Sequence, residues 1–410
     1  MQPCQAAQVS RFPSPSLSLA CFLALAPVLA VFQFRGIAPL GTVALLAMAA
    51  GGLAAGRGPK LPLAAWLALA LCGWGLLSAL WAVDPGRSAL EGARIGALAL
   101  LGGLAATALG GPQETPRPVL RWLTLGLVAG TLLMFADQTS FHTLRALVRG
   151  LRHWDLTLGY GLKPAASVVA VLLPLAVFVQ PGARRKIALT LMAVVAIFSM
   201  PAQAAKIGVL AGMAGYVAFA LLGTRVLRLA VPLVVALVLL LPLGLGALLA
   251  TGPDVNWMQG SAAHRVLIWD FAIQRMLEHP LLGWGMEAAR AIPGGELQVS
   301  AEQLARFHLE PQAAWFAEVR AQRLPLHTHN FIIQIWLELG AVGAALTAAL
   351  LAVLLRAADH PGRFGAFCAA FAVANLSYGA WQGWWVALLV LLALTAQAVV
   401  TQAVAVRPAR

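Results

Sequence analysis

Runs of about 20 apolar residues, long enough to cross a hydrocarbon core of about 30 Å, recur from one end of this chain to the other. Lipid offers the backbone no hydrogen-bond partner, so runs of this length and unbroken hydropathy fold as helices. They lie near 16–33, 37–56, 61–81, 89–109, 118–136, 164–181, 187–203, 207–223, 229–250, 330–354, 364–380 and 384–403. Composition agrees. Of 410 residues, 60% are hydrophobic and 10% charged, against about 25% charged in an ordinary soluble domain. The predicted fold is all-α, a polytopic membrane protein of about 12 transmembrane helices. The first run has the length of a secretory apolar segment, but more spans follow, so it reads as an uncleaved span. Cys21, Cys72 and Cys368 lie inside apolar runs and Cys4 lies near the start. None occupies a long polar loop, so neither a structural disulfide nor a paired-cysteine metal site is expected.

Basic residues orient the spans. Arg57 and Lys60, Arg117 and Arg121, Arg184 to Lys186, Arg225 and Arg228, and Arg356 and Arg363 fall in alternate short connections, and the tail adds Arg407 and Arg410. By the positive-inside rule these connections and both termini are cytoplasmic. This pattern explains much of the net charge of +13, so nucleic acid is not an expected partner. The opposite side carries two long connections, 137–163 and 251–329, which hold seven of the eight histidines. The expected organisation is therefore nine spans over 1–250 with the smaller outer loop at 137–163, a large outer loop over 251–329 containing short helices, and three spans over 330–410. Chemistry on the outer side has no ATP or nucleotide sugar to draw on, so the energy must arrive in the substrate.

Polar residues concentrate where the large loop re-enters the membrane, at HTHNFIIQIWLELGAVG (327–343). On a helix Asn330, Gln334 and Glu338 form one stripe, and Glu338 lies roughly 13 Å inward from His329. A carboxylate at that depth must find partners or a proton. Gly340 and Gly343 would let another helix approach closely. His329, with His327 beside it, reads either as a general base or substrate ligand at the membrane boundary, or as an interfacial histidine over a structural contact. Residues 262–279 suit a helix with Val266, Trp269, Ile273, Met276 and Leu277 on one face. Arg265 at its edge either snorkels or binds a phosphate. In the smaller loop Arg145, Arg149 and Arg152 form a stripe on a short basic amphipathic helix, which suits either lipid headgroups or an anionic substrate. Lys206 opens the eighth span, where a lysine either snorkels or binds an anion. The sequence contains no DxD, HExxH, GxSxG or P-loop motif, and the carboxylates of the large loop, Glu287 among them, form no recognisable metal cage.

The stretch HNFIIQIWLELGAVG, together with Arg265 and HPLLGWG at 279–285, resembles the O-antigen ligase and O-antigen polymerase superfamily, most of all the ligases. That resemblance implies a GT-C-like membrane glycosyltransferase of the bacterial inner membrane, working on the periplasmic side without metal or cofactor. The donor would be a glycan on undecaprenyl diphosphate, and the acceptor a sugar hydroxyl of lipid A–core, with membrane lipids around both. His329 matches the family's motif histidine and Arg265 its loop arginine. Lys206 stands where a basic residue, usually arginine, opens a middle span. His329 would deprotonate the acceptor, Arg265 and Lys206 would hold the diphosphate with help from Arg145, Arg149 or Arg152, His327 and Asn330 would contact substrate, and Gln334 and Glu338 would give structural support. Alternatives are a polysaccharide polymerase, a protein O-oligosaccharyltransferase and a secondary transporter.

Overall fold

Helices follow the apolar runs in the computed structural model, which describes residues 13–58, 60–110, 117–152, 154–159 and 161–405. Cys4, His153, Arg407 and Arg410 lie outside the described residues. The helices are α1 (Pro15–Gln33), α2 (Ile37–Ala54), α3 (Leu63–Leu77), α4 (Pro85–Leu109), α5 (Arg117–Thr139), α6 (Thr143–Arg149), α7 (Leu156–Gly159), α8 (Lys163–Phe178) and α9 (Ala183–Phe198). They continue with α10 (Gln203–Leu222), α11 (Arg225–Ala250), α12 (Ser261–Glu278), α13 (Ala301–Arg306), α14 (Ala313–Glu318), α15 (Phe331–Arg356), α16 (Pro361–Ala374) and α17 (Gly383–Ala405). Strand pairing among the described residues is confined to one isolated bridge, Gln298 with Gln322. The protein is an all-helical, polytopic membrane protein.

A helix stands at every expected span, but their lengths differ from the expectation. Among the described residues seven runs are long and apolar enough to cross a membrane, the first of them, Pro15–Ala54, holding both α1 and α2. Lys163–Phe178, Pro361–Ala374 and Gly383–Val399 are shorter apolar helices. Sixteen residues of α8 rise only about 24 Å, short of a hydrocarbon core. Hydropathy alone extends α16 to residue 380; the helix stops at Ala374 because Asn375 to Gln382 turn back to hold other parts of the chain.

The chain divides into two compact units. The first comprises 1–65, 98–209 and 387–410. In it α1 packs on α2, α5 and α8, and α8 on α9. The second comprises 66–97 and 210–386, and here α15 is the organising element, packed on α11 and α12. Pro242 inside α11 has no amide to give the Val238 carbonyl four residues earlier. The Trp336 indole of α15 donates to that carbonyl at 2.7 Å instead.

Helix α15 is broken at Gly340, whose backbone stands at φ 63°, ψ −162°. The sequence reading expected the glycines here to admit a neighbouring helix; at Gly340 they admit an extended loop. Residues 280–285 exchange main-chain hydrogen bonds with the break. Trp284 and Gly285 amides donate to the carbonyls of Leu337 and Glu338 at 3.0 and 2.8 Å, and the Ala341 amide donates to Pro280 at 2.9 Å. The Trp74 indole takes the Leu339 carbonyl at 3.0 Å. The groups that a helix break orphans are thus paired. The fit is close enough that a Cβ on Gly340 would overlap the Leu281 carbonyl, and one on Gly283 the Glu338 backbone.

Gly340→Ala combines an unfavourable φ with that overlap and is expected to lower stability by about 2–4 kcal/mol. Gly244→Ala, within α11 and with nothing within 4 Å among the described residues, is expected to stay within about 1 kcal/mol of the parent. Thermal unfolding of the two detergent-purified variants checks this, and equal midpoints would remove the interlock from the stability argument.

Candidate active site

His329 sits immediately before α15 with a left-handed backbone, φ 54°. Such a conformation in a non-glycine residue needs support from its surroundings. His327 supplies part of it: its Nδ1 accepts the His329 amide at 3.1 Å, and the two rings lie 4.2 Å apart between centroids. Thr328 is fully buried between them, its hydroxyl donating to the Asn330 carbonyl at 2.6 Å. Asn330 is the N-cap of α15, its side chain accepting the Ile333 amide at 3.0 Å. That contact commits the Asn330 oxygen to a helix end, where the sequence reading expected it to meet substrate. Asn375 takes the next orphan amide, that of Ile332, at 3.4 Å.

The His329 ring is oriented from a second direction. Its Nδ1 lies 2.8 Å from the Ser377 carbonyl. A carbonyl only accepts, so Nδ1 carries the proton and the lone pair of the neutral ring is on Nε2. This is the tautomer that a base acting through Nε2 requires. The turn between α16 and α17 makes three further contacts of this kind. Gly379 lies against the His327 ring, the Ala380 amide donates to Gln334 Oε1 at 2.9 Å, and the Trp381 indole donates to Glu338 Oε2 at 2.5 Å.

Glu338 is fully buried and every partner is a donor. Besides Trp381, Gln334 Nε2 reaches Oε1 at 3.0 Å, the Glu287 amide reaches Oε2 at 2.8 Å and the Ala289 amide reaches Oε1 at 3.3 Å. A carboxylate accepts four such bonds; an amide in its place would turn its own N–H groups against some of them. The stripe seen in the sequence therefore acts as a brace, joining α15 to 287–289 and to the α16–α17 turn.

Arg265 lies on α12 one turn before Trp269, whose indole donates to the Thr328 carbonyl at 2.8 Å. Arg265 and Trp269 share a helix face, so Arg265 is on the side of α12 that meets the histidine segment. It is half-buried, and burial holds its guanidinium below the ordinary arginine range. Among the described residues no carboxylate pairs with it. Arg290 is a cation that the sequence reading passed over. Its Nε donates to Glu287 at 2.7 Å. Burial first, then the charges of His329, Arg290 and Arg265, push His327 from 6.5 down to about 3. The neutral His327 imidazole thus stands within reach of two guanidiniums, those of Arg265 and Arg290.

The other sequence candidates belong to the first unit. Arg145 has no exposed surface. It forms an ion pair with Asp137 at 2.6 Å, and its Nη2 lies 2.8 Å from His142 Nδ1. The face of α6 that was expected to present arginines is turned inward at this position, while Leu147 and Val148 are exposed. The reason is electrostatic: Asp137 is itself fully buried and needs the guanidinium. Arg149 donates to the Phe32 carbonyl at 2.7 and 2.9 Å. Arg152 is exposed and lies over the Trp154 ring. Lys206, in the first turn of α10, places its ammonium 5.6 Å from the centre of the Phe198 ring.

With this geometry in place, the chain can be set beside known proteins. A family model described as O-antigen ligase matches residues 187–348. That segment contains Arg265, the 279–285 loop, His329 and Glu338. Over that segment, less than half of its length, the chain is similar to the O-antigen ligase family. A protein of Rickettsia bellii named "Putative polysaccharide ligase" is 23% identical over 336 residues, covering 78% of this chain and 76% of its own. Relatives of the same name in Rickettsia conorii and Rickettsia prowazekii are 30% and 31% identical over 135 residues, 31% of this chain. The match spans 29% and 30% of those two proteins, under a third of their length. No solved structure matches the chain. The residues of the candidate site that sequence reading missed are Trp269, Arg290 and the 377–381 turn. The Asn, Ser, Gly and Gln of 375–382, a turn-forming cluster inside an apolar stretch, were the available signal for the last.

His327 links the site to pH. Its folded value lies below the ordinary 6.5, so between those values the unfolded chain binds the extra proton. Stability contributed by the neutral ring is present above pH 6.5 and falls progressively as pH drops toward about 3. Acidification from pH 7 to pH 4 is expected to lower the unfolding midpoint, and His327→Gln to shallow that slope. An unchanged slope in the variant would place the pH sensitivity elsewhere.

Proposed function

We propose that the chain transfers a glycan from a lipid-linked diphosphate donor to a hydroxyl of an acceptor sugar, with His329 as base and Arg265 as a ligand of the diphosphate. The observation that carries this reading is the His329 ring, fixed by the Ser377 carbonyl in the tautomer with Nε2 as proton acceptor, in the same unit as an arginine that no carboxylate neutralises. The acceptor O–H gives its proton to Nε2 while its oxygen attacks the anomeric carbon. The bond from that carbon to the diphosphate oxygen breaks, and the electron pair leaves with the diphosphate, whose growing charge is met by Arg265. Direct displacement inverts the anomeric centre. Glu338 and Gln334 act as positioning residues through the α16–α17 turn.

The family description and the names of the relatives favour a ligase over a polymerase; undecaprenyl diphosphate as carrier, lipid A–core as acceptor and a periplasmic site in the inner membrane rest on the sequence resemblance. The basic helix α6 adds nothing to that choice, because Arg145 is committed to Asp137.

Full-length protein in liposomes, given lipid-linked glycan and lipid A–core, is expected to form the conjugate. His329→Ala is expected to reduce the rate by at least about 100-fold. Arg265→Ala is expected to raise the donor KM about tenfold or more, with partial recovery in Arg265→Lys. Full transfer by His329→Ala would remove the base from the mechanism. In cells, loss of a ligase leaves core without glycan, whereas loss of a polymerase leaves core capped by a single repeat.

A further inference from the structure

Two ion pairs in the second unit take no part in that chemistry. Glu91 lies 2.5 Å from Arg94, and Glu287 lies 2.7 Å from Arg290. Hydrogen bonds draw the pairs together from two sides. One turn before Glu91, Ser88 donates to the carbonyl of Met286, the neighbour of Glu287, at 2.8 Å. On the other side Arg94 donates to the Trp381 carbonyl at 2.8 Å, while the Trp381 indole and the Glu287 amide meet on Glu338. The four side chains are therefore gathered around one ring of contacts. They are not sealed: Arg94 and Arg290 are 45% and 33% exposed, Glu91 and Glu287 15% and 14%.

The charge of this cluster decides what it suits. Two carboxylates and two guanidiniums sum to zero. A diphosphate drawn to Arg290 or Arg94 would meet Glu287 or Glu91 as well, whereas Arg265 offers a cation with no carboxylate attached. Alternating strong acceptors and donors fit a neutral ligand that both donates and accepts, and neighbouring sugar hydroxyls do both. The cluster is also beside the reacting group. The Trp381 that anchors Arg94 belongs to the turn whose Ser377 orients His329, and Arg290 is among the charges that His327 senses.

We infer that the Glu91–Arg94 and Glu287–Arg290 pairs form a subsite for the hydroxyls of a substrate sugar. This rests on the transfer reading only in that the sugar belongs to one of the two glycans being joined. Carboxylate oxygens accept from the hydroxyls, and guanidinium N–H groups donate to their oxygens.

The test separates binding from transfer. Full-length protein in detergent is titrated with two lipid-free probes, the core oligosaccharide and the glycan released from the lipid-linked donor, and bound sugar is read by saturation-transfer NMR. The parent is expected to bind at least one probe. Glu287→Gln and Arg290→Gln are each expected to weaken that binding roughly tenfold. Arg275→Ala, which removes a surface pair with Glu278 and a contact with the Phe271 ring, is expected to leave it unchanged. His329→Ala is expected to keep sugar binding while losing transfer. In the liposome assay the change should fall on KM with kcat largely kept, and whether donor or acceptor KM rises identifies the sugar. Arg290→Lys, checked for an unaltered unfolding midpoint, serves where the glutamine variants fail to fold. Probe affinities within about twofold of the parent in folded Glu91→Gln, Glu287→Gln and Arg290→Gln would overturn the inference. So would a parent that binds neither oligosaccharide. Sugar binding that survives alongside an active His329→Ala would instead overturn the assignment of the base.

Discussion

A helix that breaks inside a membrane protein must hand its backbone to something. In this chain the break at Gly340 hands it to residues 280–285, and the rest of the second unit depends on that exchange. Two main-chain groups on each side of the break, the carbonyls of Leu337 and Glu338 and the amides of Ala341 and Val342, pair with the loop, so two segments some 55 residues apart are held in one register. The register fixes where Met286, Glu287 and Ala289 fall, because they continue directly from the paired loop. It also fixes where the upper half of α15 points, and with it the His329 end. The register itself is set by main-chain bonds, with the Trp74 indole on the Leu339 carbonyl beside them, and side-chain substitutions that fit the space would leave those bonds in place. Removing the freedom of Gly340 or the closeness of Gly283 would not.

Glu338 converts that backbone register into a rigid site. A buried carboxylate is costly unless each oxygen is satisfied, and here satisfaction is divided among three segments: Gln334 of its own helix, the amides of Glu287 and Ala289, and the Trp381 indole. Partial assembly leaves the carboxylate short of donors, so the three segments are stabilised together or not at all. That cooperativity gives a physical reason for a charge at this depth without a role in bond making. The same logic applies in the first unit, where buried Asp137 draws Arg145 inward and turns an apparently basic face into an apolar one.

Much of this was legible in the sequence, and what was not has a definite cause. Hydropathy located the helices because a membrane helix is nearly a statement about side-chain polarity. Period-four spacing placed Asn330, Gln334 and Glu338 on one stripe for the same reason. The α12 boundaries followed from Pro280 and the glycines after it, and residues 262–279 differ by one position from Ser261–Glu278. The break at Gly340 was not legible, because a positive φ leaves no trace in polarity. Neither was the α16–α17 turn, whose work is done largely by the backbone of Ser377 and Ala380. The direction of Arg145 was misread because a helical stripe shows which residues share a face and says nothing of which face is inside. Arg290 was hidden by being ordinary: a lone arginine in a long loop acquires meaning only when Glu287 beside it is seen to continue from the interlocked glycines.

The limits of the family match add one more step. Residues 187–348 include His329, Arg265, Glu287, Arg290 and the whole interlock. Glu91, Arg94 and the 377–381 turn fall outside it. The matched segment thus holds every part proposed to act on groups that any lipid-linked donor must present: a diphosphate to bind and a hydroxyl to deprotonate. The sugar subsite is assembled half from inside that segment and half from outside. Such a division is what differential recognition requires. On the proposed reading the base and the diphosphate ligand face chemistry common to all substrates, whereas a glycan pocket must follow the glycan. Among the described residues, α4 connects to the proposed site through Ser88, on the Met286 carbonyl, and Arg94, on the Trp381 carbonyl. On the proposed reading, α4 and 287–290 serve specificity and the segment before α15 serves bond making, with the Trp381 turn linking Arg94 to Glu338.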